Sequence, residues 1–253
     1  MSRVVLTQPA PRVERLAGAL RARGHEVAVL PSRRIEPLTA GLQPTELLAT
    51  IEQFDWVVFV SPGAIEVALC ALPGGWPASK GIAVIGPGSA DALAEHGVRP
   101  GSVRIAMPDA PPYDADALMR VPPFDAPAGV RVLVLRGERG RLDWIETLRS
   151  RGAIVRAESI YRTVPCEAAP AELARLQSWA SSGLPTLWVF SSADAIAATA
   201  ALLRERGLQA WAGLQRALTI HPKLLEASRS AGWQATQLIG PGERALVAAI
   251  ESA

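Results

Sequence analysis

Four places in this chain set small, hydroxyl or imidazole residues between an apolar run and a helical pattern. Ser61-Pro62-Gly63 follows VVFV, Pro87-Gly88-Ser89 follows VIG, Ser191-Ser192-Ala193-Asp194 follows WVF, and His221-Pro222 follows LTI. If the apolar runs are strands, each junction is a helix N-terminus with free N–H groups, which attract anions. A serine there also serves as a plain helix cap, so one junction alone is open to either reading. Several together suit a substrate with several anionic groups. A further turn, Arg136-Gly137-Glu138-Arg139-Gly140-Arg141, follows VLVL, and Arg136 at the strand end is expected to point toward a ligand. This turn has neither the glycine spacing of a dinucleotide site nor the Gly-Lys-Ser/Thr of a phosphate loop. His25, His96 and His221 form no HxxxH spacing, so no metal site is expected. His25 and His96 flank helix-ending glycines and read as surface or helix-end residues, leaving His221 as the histidine of interest. There is no GxSxG elbow for acyl chemistry. One of the two tyrosines, Tyr161, sits in SIYRTVP between an apolar run and a proline.

The elements that must position these residues come from a repeat. Arg3–Pro37 aligns without a gap with Arg131–Pro165: strand, polar turn, helix ending Leu-Arg-x-Arg-Gly, second strand, proline. Trp56–Ile65 then resembles Leu187–Ile196, and Ala83–Gly97 resembles Leu218–Gly232. Short Val/Ile/Leu runs alternating with helical patterns predict βαβ units, and the uniformly apolar VVFV and VLVL predict strands buried on both faces. The fold class expected is therefore α/β, with two doubly wound parallel-sheet domains from an internal duplication. Pro31–Pro44 and Tyr161–Pro170 read as linkers at equivalent places, and Met107–Val130 as a long surface excursion. Trp56, Trp144, Trp188 and Trp233 read as core. The net charge of +2 gives no basic stripe for nucleic acid. No apolar run reaches the roughly 18 residues of a membrane span, and the start shows no signal peptide. Cys70 and Cys166 read as reduced thiols.

The segments VVLTQPAPRVERLAGALRARGHEV, FVSPGAI, VIGPGSADALAEHGV, VLVLRGERGRLDWIETLRSRGAIV, IYRTVP and FSSADAI, in that order, resemble the uroporphyrinogen-III synthase family. The resemblance implies flavodoxin-like domains joined by a two-stranded linker, residues 1–36 plus 166–253 forming one and 37–165 the other. It implies a cytoplasmic, monomeric hydro-lyase of haem and other tetrapyrrole biosynthesis. Such an enzyme closes hydroxymethylbilane, a small-molecule polycarboxylate, with loss of water and inversion of ring D. No metal or organic cofactor is implied, and no nucleic-acid or membrane partner. Tyr161 becomes the candidate general acid. Thr7, Ser61, Pro62, Gly63, Gly86, Ser89, Arg136, Gly137, Ser191, Ser192 and Ala193 become candidate substrate anchors. Two departures stand out. Gln8 follows Thr7 where the family has Thr-Arg-Pro, and the second copy has His221-Pro222-Lys223 where a glycine and hydroxyl are common. His221 and Lys223 are the residues expected to stand in for them. The alternative is a non-catalytic tetrapyrrole- or polyanion-binding protein on the same scaffold, motivated by that loss. A sugar- or nucleotide-binding enzyme ranks below both for want of a phosphate loop.

Overall fold

The computed structural model describes residues 1–10, 12–38, 44–240 and 242–252. In chain order the first repeat forms β1 (Arg3–Leu6), α1 (Arg12–Ala22), β2 (Glu26–Val29), β3 (Arg33–Pro37), α2 (Pro44–Glu52), β4 (Trp56–Phe59), α3 (Pro62–Cys70), β5 (Gly81–Val84), α4 (Pro87–Glu95) and β6 (Ile105–Ala106). After α5 (Ala115–Leu118) the second repeat forms β7 (Arg131–Gly137), α6 (Asp143–Ser150), β8 (Ile154–Pro165), α7 (Pro170–Ser181), β9 (Thr186–Phe190) and α8 (Ala193–Glu205). It closes with α9 (Gln209–Gly213), β10 (Arg216–Thr219), α10 (Pro222–Ser230), β11 (Ala235–Leu238) and α11 (Glu243–Glu251). No helix among the described residues is long and apolar enough to cross a membrane.

The chain divides into two units, residues 1–35 with 163–253, and residues 36–162. The first holds a five-stranded sheet in the order β11-β10-β9-β1-β2, with every neighbouring pair parallel. The second holds a six-stranded sheet in the order β3-β8-β7-β4-β5-β6. Its last five strands, β8 to β6, are all parallel. Each sheet thus combines the opening βαβ unit of one repeat with the last three strands of the other. Counted from that opening unit, both follow the flavodoxin-like order 2-1-3-4-5. The strand order reverses between β1 and β9 in one sheet and between β7 and β4 in the other. Ligands of such sheets bind beyond the carboxyl ends of the strands at that reversal.

The cores explain why these strands show no polar alternation. Val4 and Leu6 face Val13, Leu16 and Leu20 of α1 together with Leu246 and Ile250 of α11. Val5, between them, faces the opposite layer with Trp188, Phe190 and Trp233. Successive strand side chains point to opposite faces, and helices cover both, so both must be apolar. Each such side chain contributes about 1.5–3 kcal/mol by leaving water. Of the tryptophans read as core, Trp144, Trp188 and Trp233 are buried and Trp56 is partly so. Gly24 and Gly152 close the equivalent helices α1 and α6 at φ of 83° and 90°, a left-handed turn that glycine adopts without strain.

The two stretches read as linkers are the paired strands that the resemblance implies: β3 occupies Arg33–Pro37, and β8 continues through Tyr161 to Pro165. They lie side by side, so backbone pairing joins the two crossings. Residues 39–43 of the first linker stretch lie outside the described residues. One expectation is corrected: the excursion at Met107–Val130 is more than surface. It carries α5, and Leu118 and Phe124 are buried, with Phe124 packing edge-on against Trp56 at 5.7 Å.

Candidate functional site

The residues that come together most tightly lie in unit 36–162. Along β8 and β7, Arg136 pairs with Ser159, but Gly137 pairs with Tyr161, a bulge that leaves Ile160 unpaired with β7. The bulge sets Tyr161 opposite Gly137, whose missing side chain matters. A Cβ added at Gly137 would lie 2.8 Å from Cζ and 3.0 Å from Oη of Tyr161. The ring therefore lies across the backbone of β7, close to where any larger residue would sit. This takes the phenol from β8 over β7 to the end of β4, where its oxygen is 2.8 Å from Ser61 Oγ. The Glu138 amide donates to the Tyr161 carbonyl at 2.9 Å and holds the backbone beneath.

Ser61 has a second bond. It is the N-cap of α3, and its Oγ accepts the Ala64 amide at 3.2 Å. Pro62 begins the helix, where its missing N–H costs nothing, and Gly63 follows. With its oxygen occupied by an N–H, the Ser61 hydroxyl is suited to donate its proton to the Tyr161 oxygen. A helix N-terminus, a serine hydroxyl and a phenol thus stand in one line. Arg136 is 8% exposed, and its Nη2 donates to the carbonyls of Glu138 (3.1 Å) and Gly140 (3.4 Å), which braces the turn.

The repeat provides a counterpart in the other unit. Ser192, aligned with Ser61, caps α8 through the Ala195 amide at 3.1 Å. Arg33, aligned with Tyr161, reaches the same helix start by an ion pair with Asp194 at 3.2 Å, and also donates to the Thr163 carbonyl. Both units thus send one side chain from a crossing strand to the helix after the third strand. One ends in a phenol and a hydroxyl, the other in two opposite charges. Thr7, at the end of β1, is buried and donates its hydroxyl to the Val189 carbonyl of β9 at 2.7 Å. That proton locks the strand reversal and is not free for a substrate. Beside it, the side-chain carbonyl oxygen of Gln8 is buried with no hydrogen-bond partner among the described residues. Ser191 is half-buried and Ala193 exposed at the same helix start.

The remaining candidates separate into two junctions. Gly86 opens α4 with extended backbone and no side-chain cap, and Ser89 is buried in the first turn. A Cβ at Gly86 would come within 2.9 Å of Tyr113 Cβ, so the second tyrosine also lies against a glycine at a strand end. Tyr113 escaped sequence reasoning because it lies in the stretch read as a surface excursion; its signal was the scarcity of tyrosine. His221 caps α10, its Nδ1 accepting the Lys223 amide at 3.1 Å. The imidazole thus caps α10, where the equivalent Gly86 has no side-chain cap, while Lys223 itself is exposed.

Comparison with known proteins places these features in context. The family described as Uroporphyrinogen-III synthase HemD matches residues 14–243. A uroporphyrinogen-III synthase of Salmonella typhimurium is 30% identical over 239 residues, covering 91% of this chain and 92% of that protein. One from Synechococcus elongatus is 33% identical over 157 residues, covering 60% of this chain and 57% of its own. Among solved structures, that of uroporphyrinogen-III synthetase from Helicobacter pylori is similar with a TM-score of 0.53 at 15% identity, over 100% of this chain and 99% of that one, a likeness of fold.

Proposed function

Because the chain belongs to the uroporphyrinogen-III synthase family, we propose that it is an enzyme of tetrapyrrole biosynthesis in which Tyr161 is the general acid. The reaction assigned is closure of hydroxymethylbilane with inversion of ring D, which makes the enzyme a hydro-lyase. The C–O bond of the terminal hydroxymethyl group breaks as its oxygen takes a proton from Tyr161 and leaves as water. The azafulvene cation that remains is attacked by the substituted carbon of ring D. The resulting spiro intermediate fragments and recloses, and loss of a proton restores aromaticity. The substrate can close spontaneously without inversion, so holding the chain in a folded conformation is the larger part of the catalysis. Proton donation adds roughly 10²–10⁴-fold.

The observation that carries the acid role is the Ser61–Tyr161 hydrogen bond of 2.8 Å on a capped helix N-terminus. When Tyr161 gives up its proton, Ser61 donates to the phenolate, and the positive end of α3 lies behind Ser61. The carboxylates are assigned to the strand-end junctions around Ser61, Gly86, Ser191, Ser192 and Lys223. Thr7 and Arg136 are reassigned to holding the frame, since the Thr7 hydroxyl and one nitrogen of the Arg136 guanidinium already donate to protein carbonyls. Membership of the family favours the catalytic reading over the non-catalytic one that the departure at His221 motivated. The family reading supports a cytoplasmic monomer. Incubation with freshly generated hydroxymethylbilane tests the activity: the type III isomer is the expected product. Type I alone, as without enzyme, would overturn the reading.

A further inference from the structure

Outside the tyrosine site, three metal-ligating side chains meet where α3 packs on α4. Glu66 and Cys70 are four residues apart on α3, and so share one face of the helix. His96, the C-cap of α4, brings Nε2 to 3.4 Å from Glu66 Oε2, and Cys70 Sγ lies 3.9 Å from Glu66 Oε1. One donor atom from each of the three lies within 4.8 Å of the others. Glu66 is 9% exposed, set in a helix whose residues from Ala64 to Leu69 are otherwise apolar and buried. His96 and Cys70 meet its carboxylate there, so three polar donor groups are gathered at the edge of an apolar layer.

We propose that Glu66, Cys70 and His96 form a binding site for a zinc-class divalent cation, independent of the catalytic assignment. The donor set selects the ion. A thiolate and an imidazole favour zinc and its neighbours over magnesium or calcium, which take oxygen ligands. Zinc bonds of about 2.0–2.3 Å put tetrahedral ligands roughly 3.3–3.7 Å apart, so the side chains close by on the order of 1 Å. Cys70 is exposed at the end of its helix. Three protein donors leave the fourth position to water. Binding releases the thiol proton of Cys70 to solvent, and the carboxylate and thiolate together neutralise the ion. Cys70 lies about 12 Å along α3 from its first turn at a rise of 1.5 Å per residue, so the ion clasps the far ends of two helices whose near ends carry Ser61 and Gly86.

Titration of the full chain with cobalt(II) tests the site. One equivalent is expected to bind, with tetrahedral visible absorption and a thiolate-to-cobalt band in the near ultraviolet, both displaced by zinc. Cys70→Ser is expected to lose the thiolate band and His96→Gln to weaken binding, while Cys166→Ser keeps both. A measurement on the unaltered protein guards against misfolded variants: stoichiometric zinc should slow alkylation of Cys70 relative to Cys166. Absence of saturable cobalt binding, a thiolate band surviving Cys70→Ser, or unprotected Cys70 would each overturn the proposal.

Discussion

An alanine at residue 137 would place its methyl carbon 2.8 Å from Cζ of Tyr161, closer than such atoms approach, so the ring would have to leave its bond to Ser61. Gly137→Ala is therefore expected to lower kcat about as much as Tyr161→Phe, with the fold retained by circular dichroism. The double variant should be little worse than either single one, because both remove the same interaction. Tyr161→Phe is itself expected to lose several-fold to about a hundredfold in kcat with little change in Tm. Full activity in that variant would return Tyr161 to packing. The residue type and its absence from the other repeat made Tyr161 visible in the sequence. The need for glycine at 137 was not visible, because it depends on β7 lying between β8 and β4.

The helix starts allow a controlled comparison between repeats. Ser61 and Ser192 cap α3 and α8 in the same way, through the amides of Ala64 and Ala195. Ser61→Ala and Ser192→Ala should each cost about 1 kcal/mol in denaturant unfolding. Only Ser61→Ala should also lower kcat, since it alone leaves the Tyr161 phenol without its partner; an effect of Ser192→Ala belongs in KM. At the opposite ends of the strands, Asp55 before β4 accepts the amide and guanidinium of Arg131 at the start of β7. The hydrogen bonds of the Arg131 guanidinium and amide hold the Asp55 carboxyl below its ordinary value of 3.8. Its folded pKa is depressed, so its stabilisation is complete above the unfolded value and disappears as pH falls through the folded one. The Tm difference between the parent and Asp55→Asn should therefore narrow below about pH 4. The effect will be small, since both groups are substantially exposed.

At the scale of the whole molecule, the repeats and the folding units do not coincide. Each sheet takes two strands from one repeat and three from the other, with β3 added at the edge of the second. A fragment ending before β7 would contain one complete repeat, yet β1 and β2 would lack β9, and β4 would lack β7. Residues 36–162 retain β4 to β7 whole and β8 as far as Arg162. This fragment should unfold cooperatively by circular dichroism, and the first-repeat fragment should not. The sequence by itself determined the βαβ composition, the duplication and the strand-end positions of most candidate residues, because apolar periodicity, turn residues and helix caps are local. It could not decide which repeat supplies which strand to a sheet, since parallel partners are chosen by packing between distant segments. That choice carries the phenol of Tyr161 over Gly137 to Ser61 and joins the Thr7 hydroxyl to the Val189 carbonyl. These contacts depend on register, order and burial, which arise only when the sheets assemble.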